Sequence, residues 1–147
     1  MSNSAWQANI ISADDRQVKQ LLATSHTIAV VGMKADEHKP SYYVPKYMLD
    51  HGYEIIPVNP GASEIVGLKC YADLLAIPQP VDIVQVFRRA ADVIPHMGEA
   101  LQIKPHAFWM QTGIINELAA EQLAKAGIKV VMDRCMYVDH RNLLGNS

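Results

Sequence analysis

Residues 27–41 read Thr-Ile-Ala-Val-Val-Gly-Met-Lys-Ala-Asp-Glu-His-Lys-Pro-Ser. Residues 28–31 are a short, mostly β-branched apolar run, the composition of a strand. Gly32 stops the run. A polar loop with two lysines, Lys34 and Lys39, follows, and a helical pattern begins near Ser41. Strand, glycine turn, polar loop and helix start form the first half of a βαβ unit, which binds phosphates at the turn and the helix N-terminus.

Outward from this corner the pattern repeats. Upstream, residues 14–23 carry a helical stripe of Val18, Leu21 and Leu22, with Asp14 or Ser12 as the cap. Residues 1–12 have no periodicity and read as an arm. Downstream, residues 42–50 form a helix with Ser41 as N-cap and Pro40 just outside it. Tyr43, Tyr47 and Met48 lie on its inner face, Pro45 falls in its first turn, and Gly52 stops it. Residues 53–58 are the second strand, broken by Asn59-Pro60-Gly61. A connection follows with a short extended piece at 68–70, and Asp73 caps a short helix through Ala76. Strands at 82–87, 107–111 and 128–132 then alternate with helices at 92–103 and 116–126. The tail from Asp133 is loop with a little helix.

Five short apolar strands alternating with helices predict an α/β fold with three layers, a doubly wound, Rossmann-like parallel sheet. The expected strand order is 3-2-1-4-5, with a ligand-binding switch point between the first and fourth strands. No repeat or linker divides the 147 residues, so one domain is expected over 1–147, with its core at about 14–135.

The totals exclude several classes. A formal charge of -2 argues against a nucleic-acid partner that needs a broad basic surface. No apolar run approaches the roughly 20 residues of a membrane span, and no basic stretch precedes an apolar leader, so a cytoplasmic protein is expected, without a membrane partner. Cys70 and Cys135 are far apart and read as reduced. The six histidines are scattered without an i, i+4 pair, so no metal is expected. Trp109 and Met110 belong to the core. Asp82 and Asp133 read as caps at strand boundaries. There is no nucleophile motif of the G-x-S-x-G kind.

The turn after the first strand departs from the dinucleotide fingerprint. Gly32 has no glycine after it until Gly52, and the second strand ends in Val58-Asn59-Pro60 without an acidic residue for a ribose hydroxyl. Lys34 and Lys39 favour a ligand richer in phosphate. On spacing alone, solvated loop lysines explain them equally well.

These residues resemble a known family. Ala29-Val30-Val31-Gly32, Lys39-Pro40-Ser41-Tyr42, Gly52-Tyr53, Pro57-Val58-Asn59-Pro60 and Glu64-Ile65-Val66-Gly67 carry the likeness. So do Val81-Asp82-Ile83-Val84, Val86-Phe87-Arg88-Arg89, Trp109-Met110-Gln111-Thr112-Gly113 and Val131-Met132-Asp133-Arg134-Cys135. In order and spacing they are similar to the small stand-alone coenzyme A-binding proteins and to the N-terminal domain of the succinyl-CoA synthetase alpha subunit. The resemblance implies coenzyme A as cofactor. It implies that Gly32, Met33 and Lys34 face its phosphates, and that Lys39 and Ser41 hold phosphate at the helix start. Val58, Asn59 and Pro60 would border the nucleotide, and Phe87 and Arg88 would flank the adenine or the pantetheine. Gln111, Thr112 and Gly113 would line the outer end. Met33-Lys34 stands where the family has small residues such as Ala-Ser, and a long side chain there bears on how closely a phosphate approaches. CoA carries about four negative charges at neutral pH. Lys34, Lys39, Arg88 and Arg89 would balance them on converging, and Phe87 offers a flat apolar surface to a base.

The resemblance therefore implies binding of CoA or an acyl-CoA without catalysis. The ligase relatives of the family need a second domain with a phosphorylated histidine and a partner subunit, for which a chain ending at Ser147 is too short. A protein partner of another kind is left open. A small NAD(P)-dependent oxidoreductase, or an interaction module that keeps the fold without the ligand, are the alternatives. Cys135 reads as a buried structural cysteine in preference to one that approaches the CoA thiol.

Overall fold

The computed structural model describes residues 2–145. Strand β1 (Thr27–Val31) is buried along its whole length and lies second in a five-stranded parallel sheet. Its partners are β2 (Glu54–Val58) on one side and β5 (Ile83–Val86) on the other; β6 (Ala107–Met110) and β7 (Lys129–Val131) continue outward from β5. Between β2 and β5 a small antiparallel hairpin, β3 (Glu64–Ile65) and β4 (Leu68–Lys69), stands apart from the main sheet.

Strand side chains alternate between two cores, as the pleat requires. Ile28, Val30, Ile55, Ile83, Trp109 and Val131 face the helices α1 (Asp15–Thr24), α2 (Pro40–Asp50) and α5 (Met136–Leu143). Ala29, Val31, Ile56, Val58, Val84, Val86, Phe108 and Val130 face α3 (Ile94–Ile103) and α4 (Glu117–Lys125). The sheet is thus covered on both sides, which is why its strands read as continuous apolar runs.

The five-stranded, doubly wound parallel sheet is the expected one, but β5 lies beside β1 and not outside β2, where the expected order had put the third strand. Handedness supplies the reason. The β1-α2-β2 crossover covers one face. The next connection carries Leu74 and Ile77, which pack with α3 and α4 on the other face. A right-handed crossover on the opposite face must travel the opposite way across the sheet, so it passes β1 and lands beyond it. The switch point therefore falls between β1 and β5.

Local chemistry sets the element ends. Asp14 caps α1, accepting N–H bonds from Arg16 and Gln17. Asn116 caps α4 through Ala119 N–H at 3.0 Å, and Asp73 caps the single 3₁₀ turn Leu74–Ala76. Asp82 receives the N–H groups of His26 (2.7 Å) and Thr27 (3.1 Å) at the start of β1. Helix α2 begins earlier than the sequence suggested: Lys39 is its N-cap, Pro40 its first residue, and Ser41 lies inside it. Pro45 then falls in the second turn. Its missing N–H leaves the Ser41 carbonyl unclaimed by the helix, and the backbone N–H of Lys34 takes that carbonyl at 3.2 Å. The inner face of α2 is Val44, Pro45 and Met48, while Tyr43 is exposed.

The expected arm is ordered. Ser2–Asn9 forms a 3₁₀ helix, and Ile10 pairs with Val130 as a parallel bridge at the edge of the sheet. Ile11 donates its N–H to the Val130 carbonyl at 2.9 Å and is buried.

Candidate functional site

Three loops meet at the carboxyl ends of the strands, where ligands bind in open α/β sheets. They are the β1–α2 loop, residues 87–89 after β5, and residues 111–114 after β6. Together with Cys135, after β7, they line a cleft of about 680 Å³. Small-molecule sites span about 300–1,000 Å³.

Gly32 is the hinge of the arrangement. It adopts φ +84, and a Cβ placed there would stand 2.7 Å from the Phe87 carbonyl and 3.5 Å from Arg88 Nε. Only glycine permits both the turn and the close approach of the two loops. Its N–H donates to the Val58 carbonyl at 2.9 Å, which fixes the turn to the end of β2. The loop beyond is braced from within: Asp36 accepts His38 N–H through its side chain and Lys39 N–H through its carbonyl, both at 3.0 Å. Lys34 is pinned to α2 through the carbonyl that Pro45 leaves open.

The electrostatics of the cleft are one-sided. Lys34, Lys39, Arg88 and Arg89 all line it. Arg89 pairs with Asp92 at 3.1 Å on the surface, but Lys34, Lys39 and Arg88 have no ion pair among the described residues. Arg88 Nε is buried without a hydrogen-bond partner. A buried, unpartnered guanidinium nitrogen beside a glycine turn is costly in the free protein and favourable once an anion arrives. His96 on α3 lies near Glu99 and Arg88; burial holds its pKa below the usual histidine value against the pull of Glu99, with the like charge of Arg88 as a smaller contribution.

The β6 side of the cleft is polar and rigid. Gln111 is only 4% exposed, and its Oε1 accepts from Gln85 Nε2 at 3.0 Å and from Met136 N–H at 2.9 Å. The turn at Gly113 is held by Asp133, whose carboxylate accepts the Gly113 N–H at 2.6 Å. Ile114, Tyr43 and Val44 give the mouth an apolar wall.

Of the residues singled out from the sequence, Gly32, Lys34, Lys39, Ser41, Phe87, Arg88, Gln111, Thr112 and Gly113 line this one cleft. Met33, Val58, Asn59 and Pro60 are not among its lining residues. Met33 turns its side chain fully into the core with α2 and α5, so its length does not obstruct the cleft. Asn59 donates from Nδ2 to the Met33 carbonyl at 2.9 Å, and Val58 receives the Gly32 N–H. These residues shape the loop from behind. The sequence places Tyr43 on the inner face of α2 and gives no role to Val44 or Ile114, whereas all three line the cleft. The i, i+4 spacing of Val44 and Met48 was the signal that turns Tyr43 outward.

Fold and cleft together define a class: a doubly wound α/β domain with a glycine turn and cations without ion pairs at the carboxyl ends of its strands. The chain belongs to the CoA binding domain family, whose model matches residues 26–141. It is 42% identical over 124 residues to Uncharacterized protein YneT of Bacillus subtilis (strain 168), spanning 84% of this chain and 92% of that one. The solved structure of cell-free ID.343 from Thermus thermophilus superposes with a TM-score of 0.85 at 38% identity, over 89% of this chain and 99% of that one. A 79-residue stretch, 52% of this chain, is 34% identical to Acetate--CoA ligase [ADP-forming] II of Archaeoglobus fulgidus. It spans only 12% of that ligase.

Proposed function

We propose that the chain binds coenzyme A or an acyl-CoA in this cleft and does not turn it over. The observation that carries the reading is the convergence of Lys34, Lys39 and the unpartnered Arg88 around the Gly32 turn, in a member of the CoA binding domain family. The residues suit the group. Three free cations face a ligand with about four negative charges. Gly32 lets the Phe87 carbonyl and Arg88 close on the turn, and Phe87 offers an apolar plane to a base. Among the described residues no histidine or carboxylate, the commonest general acids and bases, lines the cleft, which supports binding without turnover.

Thermal unfolding with CoA, acetyl-CoA, NAD and NADP tests this. A ligand that binds only the folded state stabilises it by about 2.7 kcal/mol at a hundredfold excess over its Kd. CoA and acetyl-CoA are expected to raise the Tm well above the effect of either dinucleotide, and acetyl-CoA is expected to survive prolonged incubation intact. Equal stabilisation by NAD would move the chain to the oxidoreductases.

A further inference from the structure

Resting on the reading of the cleft as a CoA site, we propose that Cys135 exchanges thiols with a CoA disulfide bound there, so that the chain is reversibly capped by one CoA. The Cys135 sulfur attacks one sulfur of the CoA disulfide. The bond between the two CoA sulfurs breaks, a Cys135–CoA disulfide forms, and one CoA leaves carrying the proton of the Cys135 thiol. One disulfide is consumed and one is made, so no other oxidant is needed.

Cys135 is half-buried and lines the same cleft as Gly32, Lys34 and Arg88. It follows β7, three strand positions from β1 in the order β1-β5-β6-β7. At about 4.8 Å per strand that is roughly 14 Å. The pantetheine arm of CoA contains about four three-bond segments between pyrophosphate and sulfur, each reaching about 3.5 Å, again roughly 14 Å. Phosphates at the Gly32 turn therefore put the CoA sulfur within reach of Cys135.

A second observation points to a ligand along this path. Gln111 is almost fully buried, and both bonds its side chain makes use Oε1. Its Nε2 has no partner among the described residues, in a side chain that lines the cleft. The bond from Met136 N–H locks that carboxamide to the residue next to Cys135. A free amide donor between the phosphate end and the thiol fits the amide carbonyls of a pantetheine arm. Cys70, the other cysteine, is buried away from the cleft, and burial, then Glu64, pushes its thiol up.

The test is the rate of adduct formation by intact-protein mass spectrometry, with CoA disulfide and glutathione disulfide at equal concentration, alongside calorimetric titration of CoA into the reduced chain. Bound reactants react faster than free ones. The expected result is one CoA adduct, formed roughly tenfold or more faster than the glutathione adduct and slowed by acetyl-CoA, which cannot exchange. It is lost in Cys135→Ser and retained in Cys70→Ser. CoA binding without an adduct, or with equal rates for the two disulfides, overturns the exchange and leaves the binding site standing. Absence of CoA binding overturns both.

Discussion

Lys39 and Arg88 face the same cleft but stand differently in the free protein. Lys39 is an exposed N-cap without a side-chain cap bond, a cation at the positive end of the α2 dipole. That position disfavours the helix by a few tenths to about 1 kcal/mol. A phosphate bound there reverses the sign. Lys39→Ala is expected to leave the melting temperature of the free chain unchanged or slightly higher. It should weaken CoA by about 1.5 kcal/mol, roughly tenfold, the low end for a charged hydrogen bond because the site is exposed. Arg88 has a buried Nε without a partner, so Arg88→Met is expected to lose more affinity than Lys39→Ala at no cost in stability. Titration calorimetry and ligand-free melting curves read both quantities. If both variants bind CoA like the parent, the phosphates lie elsewhere.

Among elements, the contact between α2 and α5 carries its own pH dependence. Tyr47 on α2 donates or accepts at His140 Nδ1 on α5 at 2.9 Å, and it stacks on His51 with ring centroids 3.9 Å apart. Tyr53, Tyr137 and Arg141 close the cluster. Burial, then the neighbouring His51, holds the His140 pKa below the ordinary 6.5. The unfolded chain thus takes up a proton that the folded chain resists, so stability is level above this value and falls as the pH drops through it. Half-buried His96 acts in the same direction. Unfolding free energy is expected to decline between about pH 7 and pH 5, and His140→Gln to shallow that decline. An unchanged slope in the variant would assign the decline elsewhere. The α2 start also shows where sequence reading reached its limit. Ser41 has the right residue type for a cap and Pro40 the right type for N1, and the two assignments conflict by two residues. The structure favours Pro40 at N1 because Lys34 supplies the N–H that Pro45 lacks, a contact between residues that no local pattern pairs. The Gly32 turn, by contrast, was legible because a strand run, a lone glycine and a polar loop are all local signals. Strand order was less so, since it depends on which face the β2–β5 connection covers.

For the whole molecule, Arg134 joins parts that are far apart in the chain. Its guanidinium holds Asp139 of α5 at 2.7 and 2.9 Å, Asp15 of α1 at 2.9 Å, and the Ser12 carbonyl of the N-terminal segment at 2.8 Å. Its own carbonyl accepts Trp109 Nε1–H at 2.9 Å, which satisfies the buried indole of β6. The side-chain bond to Asp139 leads in raising the Arg134 pKa further, so this cation stays charged and engaged, unlike the cations of the cleft. The Asp15 limb contributes little, because that carboxylate is 69% exposed. Asp139 is the member that matters. It is 8% exposed, and removing Arg134 strands its charge. Arg134→Ala is expected to destabilise the fold by about 3–5 kcal/mol, the cost of breaking a buried pair from one side. Adding Asp139→Asn should restore part of the loss, since a neutral amide tolerates burial better than an unpaired carboxylate. Denaturant melts of the two variants and the parent measure this. A double variant no more stable than Arg134→Ala would mean that the bond to the Ser12 carbonyl, and the docking of the N-terminal segment against β7, carries the stabilisation instead.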